Sequence, residues 1–188
     1  MKAKFGLFGL PLLFTGCLNL NLKQVLPVVK DYDLSVGAIE AQVCKDNFSV
    51  GLLEVLSADL YNTKSIVRRT AGGQIIYSKG QRFADLPTKM LKNMLLLQAP
   101  KHCVSVSLTP YAETSATLQL NILTFALLDN KAEIVLDYAL NEGTKSKHGR
   151  IIQRQQTGQE ELSQIQALQS VALKAISQLL EQIKPLKE

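Results

Sequence analysis

Apolar and polar residues alternate most clearly in the second half of the chain. Leu118, Leu120 and Ile122 interleave with Gln119 and Asn121, and Ile134, Leu136 and Tyr138 resume the pattern beyond Asp129-Asn130. Successive side chains of a strand point to opposite faces, so this period of two predicts a long hairpin over 118–140 with one buried face. Residues 50–56 are rich in Val and Leu and bounded by Gly51 and Ser57, which reads as a buried strand. Ser65-Ile-Val-Arg68 and Gln74-Ile-Ile-Tyr77 flank Gly72-Gly73. Glycine accepts the positive φ of tight turns, so a short hairpin is expected there. Tyr32-Asp-Leu34 suggests a brief first strand, and residues 103–108 alternate as a half-buried one. A polar connector over 141–146 leads to an edge strand at 150–156.

Two stretches switch to a helical period. Leu86, Met90, Leu91, Met94 and Leu95 recur three and four residues apart, with Lys89, Lys92 and Asn93 on the wet side. Asp85 is placed to cap this helix, Pro87 fits its first turn, where a missing N–H costs nothing, and Pro100 follows its end. From Gln159 to Ile183, the residues Leu162, Ile165, Leu168, Ala172, Ile176, Leu179 and Ile183 form a second stripe, with Pro185 just beyond. Central strands, one early helix and one long last helix predict an α+β fold: a mainly antiparallel sheet with two helices packed on one face.

The N-terminus stands outside this pattern. Met1-Lys-Ala-Lys4 is a short basic start, and residues 5–14 are apolar. That run is half of the roughly 20 residues a membrane-spanning helix needs, so it fits the core of a secretory leader. It ends in Phe14-Thr-Gly-Cys17, which resembles the lipobox of bacterial lipoprotein precursors, with Phe14 in place of the commoner Leu. The alternative is a buried N-terminal element with an incidental cysteine. Charge, apolar length, small residues and cysteine in the required order favour the lipobox. The expected division is a signal peptide over 1–16, a lipidated Cys17 and tether over 17–29, and the α+β domain over 30–188. Leu18 follows the cysteine instead of an inner-membrane retention Asp. By resemblance to other lipoproteins this favours the outer membrane, facing the periplasm.

Charge and composition narrow the rest. Cleavage before Cys17 removes Lys2 and Lys4 and lowers the formal charge from +5 to +3. The basic residues are scattered and not interleaved with aromatics, so no nucleic-acid surface is expected. His102 and His148 are the only histidines and have no acidic neighbour at a telling spacing. No Cys-x-x-Cys or His-x-x-x-His pattern occurs, and Gly72-Gly73 lacks the lysine of a phosphate loop. Met90 and Met94 read as core filling, and the absence of Trp disfavours a sugar platform. The expectation is a non-enzyme without cofactor or metal. With Cys17 acylated, Cys44 and Cys103 remain as a candidate disulfide in an oxidising compartment, two buried free thiols being the alternative.

One ordered set of motifs goes further. Residues 53–68, then Ile75-Ile-Tyr77, then Gln81-Arg-Phe-Ala-Asp-Leu-Pro-Thr-Lys-Met-Leu91 resemble the ABC-type transport auxiliary lipoproteins (PqiC/YmbA-like). There an Arg-Trp-Ala-x-x-Pro turn opens a helix; here Arg82, Phe83, Ala84 and Pro87 fill it, with Phe83 replacing Trp. The lipobox, the long hairpin and the last helix also fit, so the resemblance covers nearly the whole mature chain. It implies a non-enzymatic auxiliary of an MCE/ABC-type phospholipid transport system, with an MCE-domain protein and ABC transporter subunits as partners and the membrane reached through a lipid anchor. Phospholipid binding and a homo-oligomer are further expectations. Arg82 and Phe83 are expected to be structural. Residues 59–64 and 141–147 are the candidate contact surfaces, since loops on a rigid sheet often carry recognition. The competing expectation is a stand-alone outer-membrane lipoprotein that binds or assembles other proteins.

Overall fold

The computed structural model describes residues 28–35, 43–108 and 114–184. In chain order the elements are β1 (Lys30–Tyr32), β2 (Phe48–Ser57), β3 (Ser65–Arg69), β4 (Ile75–Phe83), α1 (Pro87–Gln98), a 3-10 turn (Ala99–His102), β5 (Val104–Ser107), β6 (Ala116–Leu128), β7 (Lys131–Glu142), β8 (Lys145–Gln156) and α2 (Glu161–Gln182). The alternating segment at 116–128 becomes β6, the axis of the sheet. One edge of β6 pairs antiparallel with β7 along its whole length, Leu118 opposite Leu140 and Leu128 opposite Lys131. β8 continues the meander on β7.

The other edge of β6 is shared. β2 pairs parallel with its first half, from Val50–Ala116 to Ser57–Ile122, and β3 pairs parallel with its last residues, Arg68–Leu127 and Arg69–Leu128. β5 lies parallel outside β2; β4 runs antiparallel to β3, with β1 parallel outside it. The result is one eight-stranded mixed sheet, mostly antiparallel, with two helices in an α+β arrangement.

The inward set of this sheet is apolar, and both helices lie on it. Leu118, Leu120, Ile122, Phe125, Ile134 and Leu136 meet Met90, Leu91, Met94 and Leu95 of α1 and Ile165, Leu168, Val171, Ala172, Ile176 and Leu179 of α2 in one buried cluster. Each such Leu or Ile contributes about 1.5–3 kcal/mol when removed from water. The opposite face is more polar, with Leu56 and Ile152 partly exposed on it and one small cluster where Tyr61 from the β2–β3 loop packs on Val67 and Ala126. Gly149 makes room in the main core. It sits opposite Tyr138, and a Cβ there would stand 2.5–2.6 Å from the tyrosine ring.

Several local expectations shift. The first strand lies at Lys30–Tyr32 and not at 32–34, because Asp33 Oδ1 accepts from both N and Oγ of Ser35 and folds the chain into a turn. Asp85 does not cap α1: the N-cap is Leu86, and the Asp85 carboxylate accepts the N–H of Leu86 itself and pairs with Lys89 Nζ at 3.5 Å. Leu162 leaves the helical stripe and is 56% exposed, since the first turn of α2 lies ahead of its packing on the sheet. Residues 141–147 are not a connector. They are strand on both sides of a turn at Gly143, where φ is +58°. Pro185 and the leader lie outside the described residues.

Candidate functional site

The turn after β4 is held from every side. Phe83 is buried and stacks on Phe125, ring centroids 5.4 Å apart at 14°. Its N–H donates to Lys64 O at 2.7 Å, and Ala84 N–H donates to Tyr32 O at 2.8 Å. Lys64 Nζ donates to Ala84 O at 2.7 Å, and Thr88 Oγ1 to Asn62 Oδ1 at 2.9 Å. Pro87 is buried at the start of α1. Arg82 points outward, with Nε 2.5 Å and Nη2 3.3 Å from the two oxygens of Asp31 on β1, and this guanidinium holds the Asp31 carboxyl below its usual range. The contacts of Arg82, Phe83, Ala84 and Pro87 thus join β1, the β2–β3 loop, the core and α1. One residue before the turn, Gln81 is buried and its Nε2 has no hydrogen-bond partner among the described residues.

Cys44 and Cys103 meet in a disulfide with Cα atoms 5.6 Å apart, inside the span such a bond requires. It clamps the segment before β2 to the residue that opens β5. Cys103 takes the left-handed conformation, φ 55°, as the chain leaves the 3-10 turn. Cys17 lies outside the described residues.

The uncovered sheet face carries a shallow depression of about 560 Å³, lined by Leu56, Gln119, Asn121, Asp137, His148 and Arg150 among others. Registers bring these residues together: His148, Ala139 and Gln119 form one cross-strand row, and Arg150, Asp137 and Asn121 the next. Arg150 binds both oxygens of Asp137 at 2.6 and 2.8 Å and holds that carboxyl below its ordinary value. Gln119 donates to Glu54 at 2.6 Å. His148 Nε2 lies 2.9 Å from Ser146 Oγ, but that hydroxyl donates to Asn141 Oδ1, and no carboxylate is bonded to His148 among the described residues. A hydroxyl engaged this way is not an activated nucleophile.

A second polar cluster sits at the end of α2. His102 Nδ1 is 2.6 Å from Glu181 Oε1, which also receives Lys184 Nζ at 2.9 Å. Lys184 first, then His102, hold the Glu181 carboxyl low. Lys147 Nζ donates to Gln182 O at 2.6 Å, a cation against the negative end of the helix. The acidic partner of His102 is 79 residues away in sequence, so local spacing carried no sign of it. No group of three or more metal-ligating side chains forms among the described residues. The described helices are also too short or too polar to cross a membrane. Of the two loops expected to make contacts, 59–64 covers the small outer cluster through Tyr61, whereas the 141–147 turn projects from the far end of the β7–β8 hairpin.

Residues 32–184 match the family described as ABC-type transport auxiliary lipoprotein component. No curated protein matches the chain in sequence. A crystal structure described as an uncharacterized protein superposes with a TM-score of 0.67 at 15% identity, covering 76% of this chain and 96% of that one. Protein XCC0632 from Xanthomonas campestris, of family DUF330, superposes with a TM-score of 0.60 at 14% identity, covering 82% of this chain and 90% of that one. These two likenesses establish a shared fold.

Proposed function

Because the chain belongs to the ABC-type transport auxiliary lipoprotein component family, we propose that it is the envelope lipoprotein of an MCE/ABC-type phospholipid transport system. It is anchored through Cys17 in the outer membrane, faces the periplasm and acts without turnover. The observation that carries this reading is the family match over 153 consecutive positions, 32–184, which begins fifteen residues after a leader that ends in Thr15-Gly16, just before Cys17. The site geometry is compatible with it. Polar groups on the open sheet face are engaged with one another, as suits a surface that meets a protein and not one poised for bond breaking.

In this reading residues 1–16 are removed, and acyl chains on Cys17 contribute about 0.8 kcal/mol per buried methylene, enough in combination for stable attachment. The tether then holds the domain at high effective concentration against an MCE-domain partner arriving from the inner membrane. The β7–β8 turn is the contact surface best placed for that partner. Outer-membrane lipid asymmetry in a deletion strain tests the proposal. Asymmetry should be lost, and restored by the wild-type gene but not by Cys17→Ala. An intact outer leaflet in the deletion strain contradicts a transport role and favours a stand-alone lipoprotein.

A further inference from the structure

Five of the eleven large apolar side chains left exposed among the described residues lie toward one end of the molecule. The β3–β4 and β6–β7 turns lie together there: Ala71 N–H donates to Asp129 Oδ1 at 3.2 Å, and Asp129 N–H to Arg69 O at 3.1 Å. α2 begins at the same end, where Thr157 N–H donates to Asn130 O at 2.9 Å and Arg68 reaches Gln164. Ile75, Ile76 and Tyr77 at the start of β4 are 41, 42 and 50% exposed. Val28 and Val29, 81 and 46% exposed, precede β1, and the Val28 carbonyl approaches Gly80 of β4. β1 runs parallel to β4, so the chain before Lys30 approaches from the side of this end.

We propose that this end, built from Val28, Val29, Ile75, Ile76 and Tyr77, docks on the phospholipid surface that holds the anchor. The inference rests on the lipoprotein reading and adds an orientation to it. Residues 18–27 separate Cys17 from Val28, and even fully extended they allow a reach of only about 36–40 Å. Lys23 is the one charged residue among them; Leu18, Leu20, Leu22, Val25 and Leu26 are apolar. The anchor thus pulls from this end, and the approach that uses least of that reach presents this end to the membrane. An exposed apolar cluster of this kind marks a contact surface, and tyrosine favours the boundary between acyl chains and water.

The shape of the cluster selects a fluid partner. Ile76 stands opposite Arg68, whose side chain turns toward α2, while Ile75 and Tyr77 point to the other face of the strand. A single complementary protein surface covers one face of such a tip; an acyl–headgroup interface closes around both. Cations outnumber carboxylates here, Lys30, Arg68, Arg69, Lys79 and Lys131 against Asp129, Glu160 and Glu161, so anionic lipid should strengthen a contact whose apolar cluster also binds neutral lipid. β6 spans twelve steps of about 3.3 Å, which puts the β7–β8 turn and the Cys44–Cys103 bond roughly 40 Å from the surface, facing the periplasm.

The test uses the full lipidated protein in phosphatidylcholine vesicles, with a benzophenone side chain introduced at Tyr77 or, as a remote control, at Thr144. Irradiation should give lipid adducts at position 77 and none at 144. The adducts at 77 should persist at high salt and be largely lost when Ile75→Ser and Ile76→Ser are combined, in a variant that melts like its parent. Protein–protein adducts alone at position 77, or equal lipid adducts at 77 and 144, would overturn the docking while Cys17 remains acylated by mass spectrometry. A full chain without lipid on Cys17 would overturn the anchor reading and the docking with it.

Discussion

Replacing Gly149 with alanine adds one methyl carbon where the structure has space for none. The new atom would lie 2.5–2.6 Å from Cε1, Cζ and the hydroxyl of Tyr138, well inside van der Waals contact. Tyr138 is 6% exposed and belongs to the main core, so its ring cannot swing into water without losing that packing. Overpacking of this kind costs about 1–3 kcal/mol. Against it stands the gain from replacing a strand glycine with alanine, about 0.5–1 kcal/mol. Gly149 carries no positive φ, so no backbone strain enters. Gly149→Ala should therefore destabilise the protein by up to about 2.5 kcal/mol, about 1 kcal/mol at the middle of both ranges. In a Tyr138→Ala background the clash vanishes and only the glycine term remains, so the same substitution should stabilise by about 0.5–1 kcal/mol. Urea unfolding of the four disulfide-intact proteins, compared at a common m-value, measures this cycle. Equal effects of Gly149→Ala in both backgrounds would show that the glycine does not serve the tyrosine, and that the core is packed differently from this account.

Three further outcomes follow from particular contacts. Phe83→Ala should cost about 3–5 kcal/mol in the same assay, because a buried ring stacked on Phe125 is removed, whereas Arg82→Ala on the exposed side of the turn should leave the midpoint nearly unchanged; the reverse order contradicts Phe83 as the buried anchor of this turn. Reduction of Cys44–Cys103 should lower stability by up to ~4 kcal/mol for a loop of 59 residues, and thiol labelling of denatured protein should rise from none to two groups on reduction; equal labelling in both states removes the bond. Asp31, Asp85, Asp137 and Glu181 are held below their ordinary values of 3.8 and 4.5 by Arg82, the Leu86 N–H, Arg150, and Lys184 with His102 respectively. Their depressed folded pKa values mean that the unfolded chain takes up protons first. Stability should thus hold from pH 7 to about 5 and fall below about pH 4; a midpoint that rises on acidification would contradict these pairings.

The hairpins and helices were legible in the sequence because their signals are local. Strict alternation marked β6 and β7, Gly72-Gly73 marked the β3–β4 turn, and two helical stripes marked α1 and α2. The same locality explains what stayed hidden. β8 begins at Lys145, five residues ahead of the expected 150, because the inward positions Lys145 and Lys147 are polar and carry no alternation. Its later inward positions face α2 through side-chain bonds: Gln153 donates to Gln178, and Ser170 and Lys174 both donate to Gln155. The parallel pairs β1–β4, β2–β5 and β2–β6 join segments separated by other elements, and no turn between them announces the partner. The turn at Arg82–Pro87 was visible as a motif, whereas its partners Asp31, Lys64 and Phe125 were not. His102 and Glu181 likewise come together only through the packing of α2 against the 3-10 turn.

The central claim is that the chain works as the anchored partner of a lipid transport assembly. Affinity purification from cross-linked cells tests it most directly, with wild-type protein and the Cys17→Ala form captured in parallel and their co-purifying proteins identified by mass spectrometry. The account predicts an MCE-domain protein and ABC transporter subunits with the wild type, and their depletion with Cys17→Ala. Capture of the lipidated chain with no MCE or transporter subunit would contradict it.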